Sequence, residues 1–208
     1  METSKSLIYL PEPERKGVIS LEEAIDRRRS VRDFQGQPLT LNQLSQLLWA
    51  AQGITDKRGQ YRAAASAGAT YPLKLVVACG QDGAGEMEAG IYRYNIAGHS
   101  LTRYHCGDIR RALADASSSQ DFIRQVPLNI VIGALYERTI GKYGTRGVRY
   151  VHMEAGHVSQ NIYLQAAALG LATVAIGAFQ DERVREVLRM EKEIRPLYIM
   201  PVGKATGS

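Results

Sequence analysis

Val148-Arg-Tyr-Val-His-Met-Glu-Ala-Gly-His-Val-Ser-Gln-Asn-Ile-Tyr-Leu-Gln-Ala-Ala-Ala-Leu-Gly170 is the longest periodic stretch in the chain. Val148, Val151, Ala155, Val158, Ile162, Gln165, Ala166 and Leu169 fall on one face at helical spacing, and Gly170 supplies a stop. This is the pattern of a central core helix.

Downstream, residues 171–179 read as a strand ending at Gly177, 181–190 as a charged amphipathic helix, and 194–202 as a strand interrupted by Pro196 and Pro201. Upstream, 128–135 and 73–79 are apolar strands. Residues 90–95 and 100–104 flank Ile96-Ala-Gly-His99 as a hairpin. Asp108 is placed to cap a helix through Leu113, and Ser119 another that Pro127 stops. Ser20-Leu-Glu-Glu23 and Thr40-Leu-Asn-Gln43 are capping boxes. The first opens a helix expected to bury Leu21, Ala24 and Ile25. The second opens one carrying Leu41, Leu44, Leu47, Leu48 and Ala51, with Gly53 as C′. Residues 137–147 are polar. Hairpins and helices mix without regular βαβ alternation, which favours an α+β domain. The expected organisation is an arm (1–17, apolar at Leu7-Ile8-Tyr9-Leu10, positioned to pack on a second subunit), one domain (18–204) and a tail (205–208).

The 208 residues are 45% hydrophobic and 23% charged, ordinary for one globular domain. The excess of 26 Lys+Arg over 21 Asp+Glu gives a net charge of +5 and points to an anionic partner. No basic block with interleaved aromatics occurs, so nucleic acid is the weaker partner. Cys79 and Cys106 form no CxxC and no zinc spacing with the four histidines, the pattern of a reduced, cytoplasmic setting. His152 and His157, five apart, point away from each other on a helix, so no metal site is expected. No run approaches the ~20 apolar residues of a membrane span. P-loop, GxSxG and GxGxxG motifs are absent.

Four stretches carry chemistry. Arg27-Arg28-Arg29-Ser30-Val31-Arg32 packs four guanidinium groups into six residues. Arginine forks suit phosphate, and Arg28 and Arg32 would share a face if the helix continued. The same run also fits a solvated helix end that complements the C-terminal dipole. Ser66-Ala67-Gly68-Ala69-Thr70 is a small-residue turn where backbone N–H groups can approach a ligand, or a plain turn before a strand. Ala175-Ile176-Gly177-Ala178-Phe179 puts a glycine at a strand end, for backbone donors or for tight packing. Lys204 follows Gly203 near the C-terminus, able to reach an anion or solvent.

In this order the stretches resemble the nitroreductase superfamily of flavoproteins, and most the SagB-type dehydrogenase branch. The likeness rests on Arg28-Arg29-Ser30-Val31-Arg32-Asp33-Phe34, Ser66-Ala-Gly-Ala-Thr-Tyr-Pro72, residues 137–150, 155–163, 168–179 and 197–203. It implies an α+β fold with a mainly antiparallel central sheet flanked by helices, and FMN at a homodimer interface. By position, Arg28, Ser30 and Arg32 would hold the FMN phosphate and ribityl chain, with Lys204 joining them. Arg29 would lie beside ring or phosphate. Ser66, Ala67 and Gly68 would line the isoalloxazine, and Ile176, Gly177 and Ala178 would face N5. The implied activity is NAD(P)H oxidation alternating with reduction of a small acceptor. An alternative is dehydrogenation of azoline rings in a modified peptide, for which Lys142-Tyr143 matches the proton-handling pair and a separate partner would deliver the peptide. A third is flavin binding without catalysis. The Asn-x-Gln-Pro-Trp turn of typical nitroaromatic reductases is missing.

Overall fold

The computed structural model describes residues 6–81, 83–118 and 120–207. The cap expected at Ser119, the first five residues of the arm and Ser208 of the tail lie outside the described residues.

The sheet is built on the hairpin and the two apolar strands. Strands β1 (Leu7–Tyr9), β2 (Phe34–Gln35), β3 (Leu73–Cys79), β4 (Gly90–Asn95), β5 (Ser100–Cys106), β6 (Leu128–Leu135), β7 (Ala172–Thr173) and β8 (Ile194–Ala205) run in the spatial order β1-β5-β4-β3-β6-β8-β2. β7 pairs with β8 off that path, and the ladders between these strands are antiparallel. Apart from Lys74, β3 is apolar because both its faces are covered. Leu73, Leu75 and Val77 point into one core, Val76 and Ala78 into the other, as a period of two requires.

The first core is closed by α2 (Leu41–Gln52) and α6 (Arg146–Ala168), the second by α3 (Arg110–Ala116), α4 (Phe122–Gln125) and α7 (Asp181–Val187). The expected central helix is α6. Val151, Ala155, Val158, Ile162 and Ala166 are buried along it, and Gly170 follows at φ +65°. Val148, on the same traced face, is partly exposed. The Thr40–Gln43 capping box is complete, with both reciprocal hydrogen bonds formed. Asp108 accepts from Arg110 N–H at 3.0 Å at the start of α3.

Several expectations are corrected. The helix α1 (Leu21–Arg27) has its Ser20 cap but buries only Ala24; Leu21 is 61% and Ile25 53% exposed, beside a fully open Val18. The helix ends at Arg27, so Arg28 and Arg32 share no helical face. Gly53 is the C-cap with φ −64°, not a left-handed C′. A Cβ there would sit 2.2 Å from the Trp49 ring, so glycine is required by space rather than by conformation. The polar stretch after β6 is a helix, α5 (Glu137–Tyr143). The strand expected over 171–179 reduces to β7 plus a single bridge at Ile176–Ile199. The helix after it ends at Val187. β8 runs through both prolines, Pro201 opposite Asn129 and Pro196 opposite Gly133, where the register shifts between Ile132 and Gly133. The apolar start of the arm is β1, paired with β5 of its own chain.

Candidate functional site

Two groups of predicted residues come together, both on α6. The first forms where the chain leaves α1. Ser30 bridges Thr173 in parallel, and Val31 N–H donates to Thr173 C=O at 3.1 Å. The Ser30 hydroxyl lies 2.9 Å from Tyr163 Oη, which also accepts Ala175 N–H at 2.7 Å. The Arg28 guanidinium stands over the Tyr163 ring, 5.2 Å from its centroid. A cleft of about 310 Å³ opens here, lined among others by Arg28, Arg29, Tyr163, Thr173 and Ala205. Lys204, next to Ala205 on β8 and opposite Gln35 of β2, lies outside that lining. Arg32 leads into the same β2–β8 edge. Arg29, also in that lining, donates to the carbonyls of Asp26 and Arg28 at 2.6 and 2.8 Å, serving the C-terminal end of α1. Arg27 is paired with Glu23 rather than merely solvated.

The second group is the small-residue turn, a single 3-10 turn at Ala67–Ala69. Gly68, Ala69 and Tyr71 all have left-handed backbones, at φ +57°, +54° and +46°. Such geometry costs a non-glycine residue about 1–2 kcal/mol and persists only when its surroundings hold it. Here they do. Ser66 Oγ accepts Tyr71 N–H at 2.9 Å, Thr70 and Thr139 hydroxyls meet at 2.8 Å, and His157 donates from Nδ1 to Ala65 C=O at 3.1 Å. Lys142 donates to Gly68 C=O at 3.2 Å. A Cβ at Gly68 would lie 2.4 Å from Tyr143 Oη and 2.5 Å from Lys142 Nζ. α5 therefore brings the Lys142-Tyr143 pair directly onto the turn that carries Ser66, Ala67 and Gly68.

Beneath this turn is a buried polar cluster absent from the sequence reading. Glu154, only 2% exposed, takes hydrogen bonds from Ser66 and from Gln52 (3.4 Å). Arg62 donates to Gln52 at 2.8 Å and stacks on Tyr71 at 4.1 Å. Burial pushes the Glu154 carboxyl above its ordinary value, against those hydrogen bonds and the nearby Arg62. Burial, then the charge of Arg138, lowers Arg62. The signal for Glu154 was a carboxylate in register with Val151, Ala155 and Val158.

The two groups are separated along α6. Tyr163 is nine residues on from Glu154, about 13 Å at 1.5 Å per residue. The third predicted segment joins the Tyr163 group through Ala175. Ile176 is buried and exchanges both backbone hydrogen bonds with Ile199, while Gly177 and Ala178 are exposed. A Cβ at Gly177 would make only ordinary contact with Tyr198. The chemistry on offer is thus a basic cleft beside the Ser30–Tyr163 hydroxyl pair, an open backbone segment, and a Lys-Tyr pair on a rigid turn.

An antiparallel sheet sandwiched between helices, with a basic cleft where the longest helix meets the sheet edge, defines an α+β architecture. A family model described as the Nitroreductase family matches residues 25–204, and the chain belongs to that family. It is 47% identical to a candidate nitroreductase of Methanocaldococcus jannaschii over 95% of this chain and 96% of that one. It is similar to the crystal structure of a candidate nitroreductase from Ralstonia eutropha, with a TM-score of 0.86 and 30% identity, covering 100% of this chain and 93% of that one. It is also 29% identical to the trifolitoxin-processing protein TfxB of Rhizobium leguminosarum over 74% of this chain. It spans 44% of TfxB. The resemblance to the nitroreductase superfamily and its SagB-like branch holds.

Proposed function

We propose that the chain is an FMN-dependent oxidoreductase that works as a homodimer, oxidising NAD(P)H and passing the electrons to a small acceptor. The observation that carries this reading is the cleft at Tyr163. Among the described residues, Arg28, which lines it, has no carboxylate within ion-pair distance, and neither have Arg32 and Lys204, which lie outside its lining. The Thr173 hydroxyl beside Ser30 is buried without a partner. A cationic cradle with a spare hydroxyl fits a phosphate dianion.

Arg28, Ser30, Arg32 and Lys204 would hold the FMN phosphate, Ser66, Ala67 and Gly68 would line the ring, and Ile176, Gly177 and Ala178 would offer backbone to it. FMN supplies the hydride chemistry when bound, so no protein acid or base is obligatory. The exposed apolar face of Val18, Leu21 and Ile25 is the surface offered for the second subunit. The test is an absorbance spectrum of the purified protein, followed by NAD(P)H without oxygen. A yellow protein that bleaches is expected. A protein that takes up no FMN contradicts the reading, and a yellow protein inert to NAD(P)H contradicts the reductase and leaves flavin binding alone.

A second reading is favoured by one observation: Lys142 and Tyr143 sit on the Gly68 turn. That placement suits proton handling for an azoline dehydrogenase acting on a modified peptide, delivered by a partner protein, and TfxB is named for toxin processing. Lys142→Ala tests it. Abolished azoline oxidation with FMN retained is expected, and unchanged oxidation removes the pair from the chemistry.

A further inference from the structure

We infer that His99 is an acid-sensitive latch that holds the N-terminal arm against α2. This does not rest on the FMN reading. His99 ends the turn between β4 and β5 with a left-handed backbone, φ +39°, and its carbonyl accepts Leu10 N–H at 3.0 Å. Its Nε2 lies 3.1 Å from the Pro11 carbonyl oxygen and 2.7 Å from Ser45 Oγ of α2; its Nδ1 lies 2.7 Å from Tyr94 Oη of β4. The Ser45 hydroxyl donates to the same Pro11 carbonyl at 2.5 Å. These contacts fix the protons. A carbonyl oxygen only accepts, so the single Ser45 proton goes to Pro11, and Ser45 accepts from the ring. Nε2 therefore carries a hydrogen, shared between Ser45 and Pro11. In the neutral ring Nδ1 is then an acceptor, and Tyr94 donates to it. Tyr94 is only 5% exposed, and Nδ1 is the one hydrogen-bond partner of its hydroxyl among the described residues.

A second proton turns Nδ1 from acceptor to donor and sets it against the Tyr94 O–H, whose own proton then lacks a buried acceptor. From the arm, the ring faces Glu12, which favours its charge, and Arg15, which opposes it. β4 presents Tyr94 and α2 the uncharged Ser45, while Asp56 and Lys57 border the same surface depression. Burial outweighs Pro11 and Glu12 and holds the ring below its ordinary 6.5. The latch is therefore fully held above the ordinary value and weakens as pH falls below it. Its release frees the segment that leads to Val18 and the open face of α1.

The single tryptophan of the chain reports the arm, because Arg15 stands over the Trp49 ring at 4.7 Å. The full chain is taken from about pH 8 to about pH 4.5, the range in which histidine titrates, with Trp49 emission and far-UV circular dichroism followed together. Emission is expected to change along a one-proton curve with its midpoint below 6.5 while the dichroism holds. His99→Gln keeps a donor for the Pro11 carbonyl and gains no proton, so its emission is expected to stay flat. A transition that persists in His99→Gln overturns the latch, as does a wild-type change seen only with loss of the dichroism. If the glutamine variant does not fold, nitrogen NMR of the wild-type imidazoles decides. His99 is expected as the Nε2–H tautomer, titrating with the Trp49 curve. The Nδ1–H tautomer, or Trp49 emission that stays constant while His99 titrates, overturns the latch.

Discussion

Glu154 shows at the scale of one residue what periodicity misses. A search for apolar spacing reads Val151, Ala155 and Val158 as a core face and passes over the carboxylate between them. Its partners Ser66, Gln52 and Arg62 lie far away in sequence, and only the packing of α2 and the turn against α6 brings them together. Burial raises the folded carboxyl above its ordinary value of 4.5. The stability linked to this group is therefore fully present below the unfolded value and is lost as pH rises through the folded one. Glu154→Gln removes that titration and keeps one acceptor oxygen. Urea unfolding of both proteins at pH 4 and pH 7 should show the variant gaining on the wild type as pH rises. A difference independent of pH would contradict the assignment. Tyr163 was equally hidden, since nothing in its local sequence announces a hydrogen bond to Ala175.

Among the elements, the most legible were those whose pattern has one cause. β6 was readable because a mostly apolar run is covered on both faces up to Ala134, and α6 because one stripe of it is. Residues 171–179 misled because apolarity reports burial, not pairing. Val174 and Ile176 enter the second core and Ala175 packs on the first, yet only β7 and one bridge form a ladder. α5 was obscure because a short polar helix carries no apolar stripe. Gly53 was read for conformation, and Gly53 and Gly68 separate the two reasons for having a glycine. At Gly68 the φ is left-handed, and the atoms a Cβ would meet are ends of flexible side chains. Gly68→Ala should cost about 1 kcal/mol and displace Lys142 and Tyr143 from the turn. At Gly53 a Cβ meets the Trp49 ring at 2.2 Å and the Trp49 carbonyl at 2.7 Å, which cannot swing away. Gly53→Ala should cost more, about 2–3 kcal/mol. Chemical denaturation that ranks them the other way would contradict this account.

Across the whole molecule, the order of the motifs conveyed the family and the α+β class, while the surface was misjudged. Leu21 and Ile25 look like core residues because amphipathic spacing cannot distinguish burial within a chain from burial between chains. Within one chain they are open, in line with Val18. If that face is covered by a second copy, sedimentation of the wild type should give twice the chain mass. Leu21→Glu with Ile25→Glu should give monomers with a folded circular-dichroism spectrum. A monomeric wild type would contradict the dimer. The same scale holds the central claim, that Arg28, Ser30, Arg32 and Lys204 form a cradle for the phosphate of FMN. The most direct measurement is reconstitution of the apoprotein with excess FMN, removal of free flavin by gel filtration, and a count of flavin retained per chain. About one FMN per chain in the wild type, falling sharply in Arg28→Ala, is the expected result; a wild-type protein that emerges colourless would contradict it.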